Sequence, residues 1–314
     1  MAYHHIPVML SEVLEKLEPS AGEYFFDGTL GGAGYTLALA ERVGSSGKVL
    51  ATDLDSVAIA NATELIAKQK LNNIVLVSSN FRNITEIVHK NWGERCQLDG
   101  VVVDLGLSSV QVDTGERGFS FLKTAPLSLA FNQSESQNAA YLVNNLSEKE
   151  LLKIISVYGE EQFAFRIVKN IIAARRLKEI ETTTELADIV SQSVPAAIRR
   201  RKIHPATKTF QALRLAVNQE LESLEEFLPQ AISLLKPGGR LAVVSFHSLE
   251  DRIAKQFFRE QAKDCVCGPE VMICNCHHQP AIRIITKKAL IPTEAEVKAN
   301  PRARSAKLRV IEKN

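Results

Sequence analysis

Nowhere in its 314 residues does this chain carry about 18 consecutive apolar residues, the least that a membrane-spanning helix needs. Residues 1–10 also lack the basic start and apolar run of an export signal, so a cytoplasmic protein without a membrane partner is expected. Cysteine is scarce. Five in a chain of this length do not make a disulfide framework, and in a reducing compartment they should be thiols or metal ligands. Net charge is small as well: at +2, total charge does not announce a nucleic-acid partner, and the distribution of charge has to be read instead. No internal repeat is visible. What is abundant is apolar: 45% hydrophobic against 24% charged residues excludes a disordered or fibrous chain and leaves room for roughly two domains.

The charge is unevenly placed. Residues 162–208 hold ten Lys or Arg against four acids, a local +6, so the remainder is near −4. The first hundred residues alternate short β-type runs (24–29, 48–54, 73–78, 98–105) with helical patterns (35–43, 56–70, 84–91), which predicts a parallel sheet flanked by helices. After Gln111 the rhythm breaks. Residues 136–194 read as helical with little β-branched clustering, an inserted helical domain. From Thr207 an amphipathic helix, the turn Lys236-Pro237-Gly238-Gly239 and a strand at 240–246 resume the sheet. Strands at 281–286 and 306–312 should complete it, at least one of them antiparallel. The expectation is an α/β core of residues 1–112 and 206–314, with a helical domain at 113–205 for substrate recognition.

Open α/β sheets bind ligands beyond the carboxyl ends of their strands. The first strand runs into Asp27-Gly28-Thr29-Leu30-Gly31-Gly32-Ala33-Gly34, where glycines let a ligand approach the backbone at a helix amino terminus. The second ends in Asp53-Leu54-Asp55, where a carboxylate can accept from both hydroxyls of a ribose. That also suits dinucleotide enzymes, but the nearest register, Gly32-Ala33-Gly34-Tyr35-Thr36-Leu37, puts Leu where G-x-G-x-x-G wants a small residue. Asn80-Phe81 offers an aromatic for an adenine, and Asp104-Leu105-Gly106-Leu107-Ser108-Ser109 an acid for its polar edge. Plainer readings stand beside each: turn glycines, a core Phe, capping Asp or Ser.

Three further groups stand out. Arg199-Arg200-Arg201-Lys202 with His204 and Lys208, and later Arg302, Arg304, Lys307 and Arg309, suit phosphates or a solvated face. Phe246 and His247 suit an extruded base, although Ser248 with Asp251 reads equally as a helix capping box. Cys265, Cys267, Cys274 and Cys276 crowd within a dozen residues; they suit a structural zinc, with thiols in a surface excursion the favoured alternative because C-x-C is a less common ligand pairing than C-x-x-C.

Several segments together resemble one family, the RsmH (MraW) family of 16S ribosomal RNA cytosine-N4 methyltransferases. They are His5-Ile6-Pro7-Val8-Met9-Leu10, the loop from Asp27 to Gly34, the run from Asp104 to Ser109, Glu116-Arg117-Gly118-Phe119-Ser120 and Tyr158-Gly159-Glu160-Glu161. Further on come His204-Pro205-Ala206-Thr207-Lys208-Thr209-Phe210-Gln211-Ala212, Ser245-Phe246-His247-Ser248-Leu249-Glu250-Asp251-Arg252 and Asn300-Pro301-Arg302-Ala303-Arg304-Ser305. They occur in order over nearly the whole chain. The resemblance implies a class I (Rossmann-like) S-adenosylmethionine-dependent methyltransferase core with an inserted all-helical domain. It implies cofactor contacts at Ala33, Gly34, Tyr35, Asp53, Phe81, Asp104 and Gln111. It implies as partner the 16S RNA or the 30S subunit, the target being the decoding-region cytosine numbered 1402; a homodimer is left open.

For N4 chemistry a nearby acceptor must bind the amine hydrogen so that nitrogen can pyramidalise. Asp104 is the first candidate, with Ser108 and His247 beside it. Carbon-5 methylation would want a thiolate, and the sheet half has only Cys96, in a polar loop. The Asp or Asn, two prolines and an aromatic of DNA amino-methyltransferases are absent after Asp104. The chain departs from the family pattern twice: Ala33-Gly34-Tyr35 replaces Gly-Gly-His, and Ser128, Ala130 and Asn132 replace three charged residues. The second departure carries an alternative, a catalytically impaired assembly factor that binds the small subunit; a nucleotide-dependent oxidoreductase is a third reading.

Overall fold

The computed structural model describes residues 7–107, 118–121, 123–132, 137–267, 271, 273 and 276–314. The chain divides into two compact units, one of residues 1–106 and 221–314 and the other of residues 107–220.

The first unit is built on seven strands: β1 (Tyr24–Asp27), β2 (Lys48–Asp53), β3 (Ile74–Ser78), β4 (Leu98–Asp104), β5 (Leu235–Ser245), β6 (Ile282–Ile284) and β7 (Lys307–Lys313). Their order is β3-β2-β1-β4-β5-β7-β6, parallel from β3 to β5, with β7 antiparallel to both neighbours. The order reverses between β1 and β4, where such sheets form their ligand crevice. Helices α1 (Leu10–Leu17), α2 (Gly34–Val43), α3 (Ser56–Gln69) and α4 (Ile84–Trp92), and later in the chain α11 (Glu220–Leu234) and α12 (Ser248–Gln261), accompany this sheet. The four expected early strands and the three helical patterns between them are present, while α1 has no counterpart in the sequence reading.

Strand periodicity sends alternate residues to opposite faces, and both faces are covered. On one side Phe26, Val101, Val103, Leu241 and Val243 join a cluster with Ile84, Ile87 and Val88 of α4. On the other, Phe25, Val49, Val102, Ala242 and Val244 join Val13 and Leu17 of α1 and Leu39 and Val43 of α2. Gly100 is fixed by this packing, since a Cβ there would lie 2.1 Å from Cε1 of the fully buried Phe25. Gly100→Ala should therefore cost about 3 kcal/mol and lower the melting temperature by about 8 °C in thermal denaturation. An unchanged melting temperature would mean that the Phe25 ring yields.

The turn at 236–239 lies within β5 instead of before it. Leu98 pairs with Leu235 and Gly100 with Arg240, so the four residues Lys236-Pro237-Gly238-Gly239 loop out of register, Gly238 at φ 80°.

The second unit is helical: α5 (Ala139–Asn145), α6 (Glu148–Lys153) running into a π-helical turn at Ile154–Tyr158, α7 (Ala164–Arg175), α8 (Thr183–Ser193), α9 (Ala196–Arg199) and α10 (Thr207–Asn218). Reciprocal capping boxes, Ser147 with Glu150 and Thr182 with Glu185, start α6 and α8. Helix α10, expected with the sheet, belongs here instead, because Phe210, Leu213 and Val217 join a cluster with Leu151, Ile155, Ile167, Leu186 and Val190. The unit boundaries consequently fall at 106/107 and 220/221, outside the expected 112/113 and 205/206.

The stretch that lacks the family's three charges is threaded through this core. Leu127, Leu129 and Ala130 are at most 2% exposed, and Asn218 brackets the chain by accepting from Phe131 N and donating to Leu129 O. A small side chain at 130 thus suits its apolar setting, where a charge would be costly to bury.

Candidate active site

Three carboxyl groups stand at the carboxyl ends of adjacent strands: Asp53 on β2, Asp27 on β1 and Asp104 on β4. The loop after β1 is latched to all three strands. Thr29 donates its N–H to Asp27 Oδ1 (3.1 Å) and accepts the Asp104 N–H on its hydroxyl (2.6 Å), while Gly31 N–H reaches Asp53 Oδ2 (2.9 Å). Asp53 Oδ1 also accepts from Asp55 N at 2.9 Å, and Asp55 caps α3 through Val57 N. Each carboxylate oxygen of Asp53 therefore retains a lone pair for a ligand.

Burial dominates the electrostatics. Asp27 is wholly buried and its carboxyl is pushed up to about 6, against the stabilising bonds from the Thr36 hydroxyl and Thr29 N–H; Asp53 is likewise pushed up to about 6. Asp104 is raised well above the usual carboxylate range, first by burial and then by the charges of Asp27 and Glu250. Its Oδ1 is buried with no hydrogen-bond partner among the described residues. A buried acceptor left open costs on the order of 1–3 kcal/mol, which a ligand hydrogen would recover.

Ala33 opens α2 in the left-handed conformation (φ 62°), with no side-chain cap on the helix. A Cβ on Gly34 would meet Pro7 Cγ at 2.6 Å. Tyr35, expected to touch cofactor, turns its side chain away: the ring is 3% exposed in the cluster with Val8, Met9 and Leu39, and its hydroxyl donates to the Val8 carbonyl. Only its backbone remains for a ligand in the crevice. Phe81 begins the turn Phe81–Asn83, which Asn80 caps by accepting from Arg82 N; its ring meets Phe227 edge-on at 5.2 Å and its Cβ closes on Gly28. Ser108 and Gln111 lie outside the described residues, as does Cys274.

At the end of β5, Phe246 is half-buried, its ring in contact range of Gly106. His247 caps α12 (Ser248–Gln261), so the capping box is His247 with Glu250 and not Ser248 with Asp251. Glu250 Oε2 accepts from Phe246 N (2.9 Å) and His247 N (3.3 Å). The His247 Nε2 lies 2.9 Å from Glu250 Oε1 at an angle that makes no hydrogen bond, leaving both atoms buried without one. Asp251 instead holds Lys307 (3.0 Å) and Arg309 (2.6 Å), and those two bonds pull its carboxyl below the usual range despite burial. Lys307 and Arg309 are thus already paired with a carboxylate.

Of the remaining basic residues, Arg199, Arg200, Arg201, Lys202 and His204 form one exposed run in the helical unit. His204 stacks on Phe121 (centroids 4.8 Å apart), and Lys208 donates to the Glu160 carbonyl. Arg302 and Arg304 are exposed on the turn Pro301–Ser305 of the sheet unit. No described helix is long and apolar enough to cross a membrane.

The sequence matches the model of the MraW methylase family over residues 2–314. The chain belongs to that family. It is 47% identical over 313 residues to the ribosomal RNA small subunit methyltransferase H of Heliobacterium modesticaldum, covering 100% of this chain and 99% of that one. Identity to the protein of that name from Geobacter sp. is also 47%, over 320 residues and 99% of each chain. As a member of the MraW methylase family the chain is a methyltransferase with S-adenosylmethionine as methyl donor, and its sheet is a class I, Rossmann-like core. With all three strand-end carboxyls in place, the reading as an impaired assembly factor is not favoured.

Sequence reading missed Thr29 and Glu250. The signal for Glu250 was its spacing three residues after His247 at a helix start; for Thr29 there was none beyond its place in the loop.

Proposed function

We propose that this methyltransferase acts on ribosomal RNA of the small subunit, transferring a methyl group to N4 of the cytosine numbered 1402 in the decoding region of 16S RNA, in the cytoplasm. The relatives' name supports the RNA class. The observation that carries the chemistry is the buried, unpartnered Oδ1 of Asp104 at the reversal point of the sheet.

The crevice fits the donor. Three carboxyls that burial drives toward neutrality are best satisfied by a ligand that brings hydroxyl donors and a positive charge. In this reading Asp53 accepts from the ribose hydroxyls, Phe81 lies against the adenine, and the uncapped start of α2, where Ala33 N–H is held by the Leu30 carbonyl, offers the backbone N–H groups of Gly34 and Tyr35 to the amino-acid carboxylate beside Ala33. Gln111 completes the set. Bound S-adenosylmethionine supplies an electrophilic methyl on a sulfonium.

Asp104 accepts the hydrogen of the cytosine amine, which frees the nitrogen lone pair from the ring. Ser108 and His247 take supporting places. Phe246 stacks on the extruded base, and the buried walls of the crevice exclude water, so alignment supplies much of the acceleration. Arg199, Arg200, Arg201, Lys202, His204 and Lys208, with Arg302 and Arg304, neutralise phosphates.

The decisive experiment is mass-spectrometric nucleoside analysis of 16S RNA from cells lacking the gene, followed by methyl transfer to their 30S subunits. N4-methylated cytosine should vanish at that one position and return with the purified enzyme; its persistence would refute the substrate. Replacing residues 199–202 by alanine should lower the slope of log affinity against log salt by about 3, with donor affinity unchanged. Filter binding across a salt series reads that slope.

A further inference from the structure

Between α12 and β6 the chain makes an excursion, residues 262–281, with no helix or strand among its described residues. Among its described residues Val266 is 59% exposed and Ile273 83%. Three sulfurs nevertheless converge there. The Sγ atoms of Cys265, Cys267 and Cys276 all lie within 4.8 Å of one another.

The spacing suits a metal ion. Cys265 and Cys276 are 3.8 Å apart, sulfur to sulfur. A disulfide bond is about 2.05 Å long, so the separation is not that of a bond. Four ligands placed tetrahedrally at a zinc–sulfur distance of about 2.3 Å stand about 3.8 Å from each other. Cys267 N–H points at Cys265 Sγ at 3.3 Å, a donor suited to a thiolate. The C-x-C spacing, unfavourable on a regular strand, is feasible because Cys265 and Cys267 sit in irregular backbone.

We propose that Cys265, Cys267 and Cys276 bind a structural zinc ion that closes this excursion. Thiolate ligands favour zinc among the common divalent ions, and a loop that cannot bury its own apolar residues gains most from such a cross-link. The site is independent of the methyl-transfer reading.

The whole protein, purified anaerobically with a reductant, should contain about one zinc ion per chain by elemental analysis. Replacement of zinc by cobalt should give a thiolate charge-transfer band and the visible bands of a tetrahedral ion. Chelation should speed proteolytic cleavage within residues 262–281 roughly tenfold. The C265S/C267S double variant should lose the zinc and the cobalt bands yet bind S-adenosylmethionine as the parent does. Zinc-free protein whose five thiols all still react with a thiol reagent after zinc is added would overturn the proposal. A disulfide found between any two of the three cysteines in that preparation would overturn it equally.

Discussion

Asp104→Asn should slow methyl transfer about a thousandfold while the protein stays folded and melts at a higher temperature than the parent. The two halves of this result have one cause. Asp104 is half-buried, with its Oδ1 out of solvent, and close to the charges of Asp27 and Glu250, so an ionised group there is a burden on the fold. An amide of the same shape removes that burden and keeps the backbone bond from Asp104 N to Thr29 Oγ1. It also exchanges the carboxylate for an amide, whose oxygen is a weaker acceptor and cannot take the proton that the amine must lose. Tritium transfer from labelled S-adenosylmethionine to unmethylated 30S subunits measures the first effect, and thermal denaturation the second. Loss of activity together with loss of stability would mark Asp104 as a structural residue and sink its assignment as acceptor.

Lowering the pH from 7 to 5 should weaken S-adenosylmethionine binding about tenfold, and Asp53→Asn should bind weakly with no such slope. With its carboxyl at about 6 in the free protein, Asp53 is ionised in only about one molecule in ten at pH 5. The ligand's hydroxyls favour the ionised form, so binding lowers the Asp53 pKa and releases protons. Affinity is therefore full above about pH 6 and declines as pH falls through that value. Stability of the free protein runs the other way. Asp27 and Asp53 both have folded values above the ordinary 3.8, so their cost is absent below about pH 4 and fully present above about 6. For the wholly buried Asp27 this amounts to about 3 kcal/mol. Asp27 titrates in the same window, but its oxygens are engaged by Thr29 N and the Thr36 hydroxyl, which is why the slope should vanish with Asp53→Asn. Calorimetric titration across that range, on both proteins, checks it. A slope retained in the Asn variant would assign the proton to another group.

The strand ends were the most legible part of the chain. Buried parallel strands are short apolar runs, and an acid that closes such a run, as Asp27, Asp53 and Asp104 do, is conspicuous against it. Helix α10 shows where reading stops. Its amphipathic face demands a partner, yet Phe210, Leu213 and Val217 would suit either unit, and only the folded core of the second decides. The resemblance puts Tyr35 in the cofactor loop, but sequence does not show that its hydroxyl donates to the Val8 carbonyl, 27 residues away, which leaves its backbone for a ligand. For Lys307 and Arg309, positive charge is visible in sequence, but the Asp251 carboxylate that accepts from both is not. Helix α1 went unread because eight residues give the apolar period too few turns to repeat.

The position of β7 has a consequence for biosynthesis. It pairs with both β5 and β6, though both precede it in the chain. As the polypeptide grows from its amino end, the helical unit is complete by residue 220 and can collapse on its own, while β5 keeps a bare hydrogen-bonding edge until residues 307–313 emerge. That unpaired edge is the place where a nascent chain of this protein is most open to wrong strand pairing and to chaperone capture.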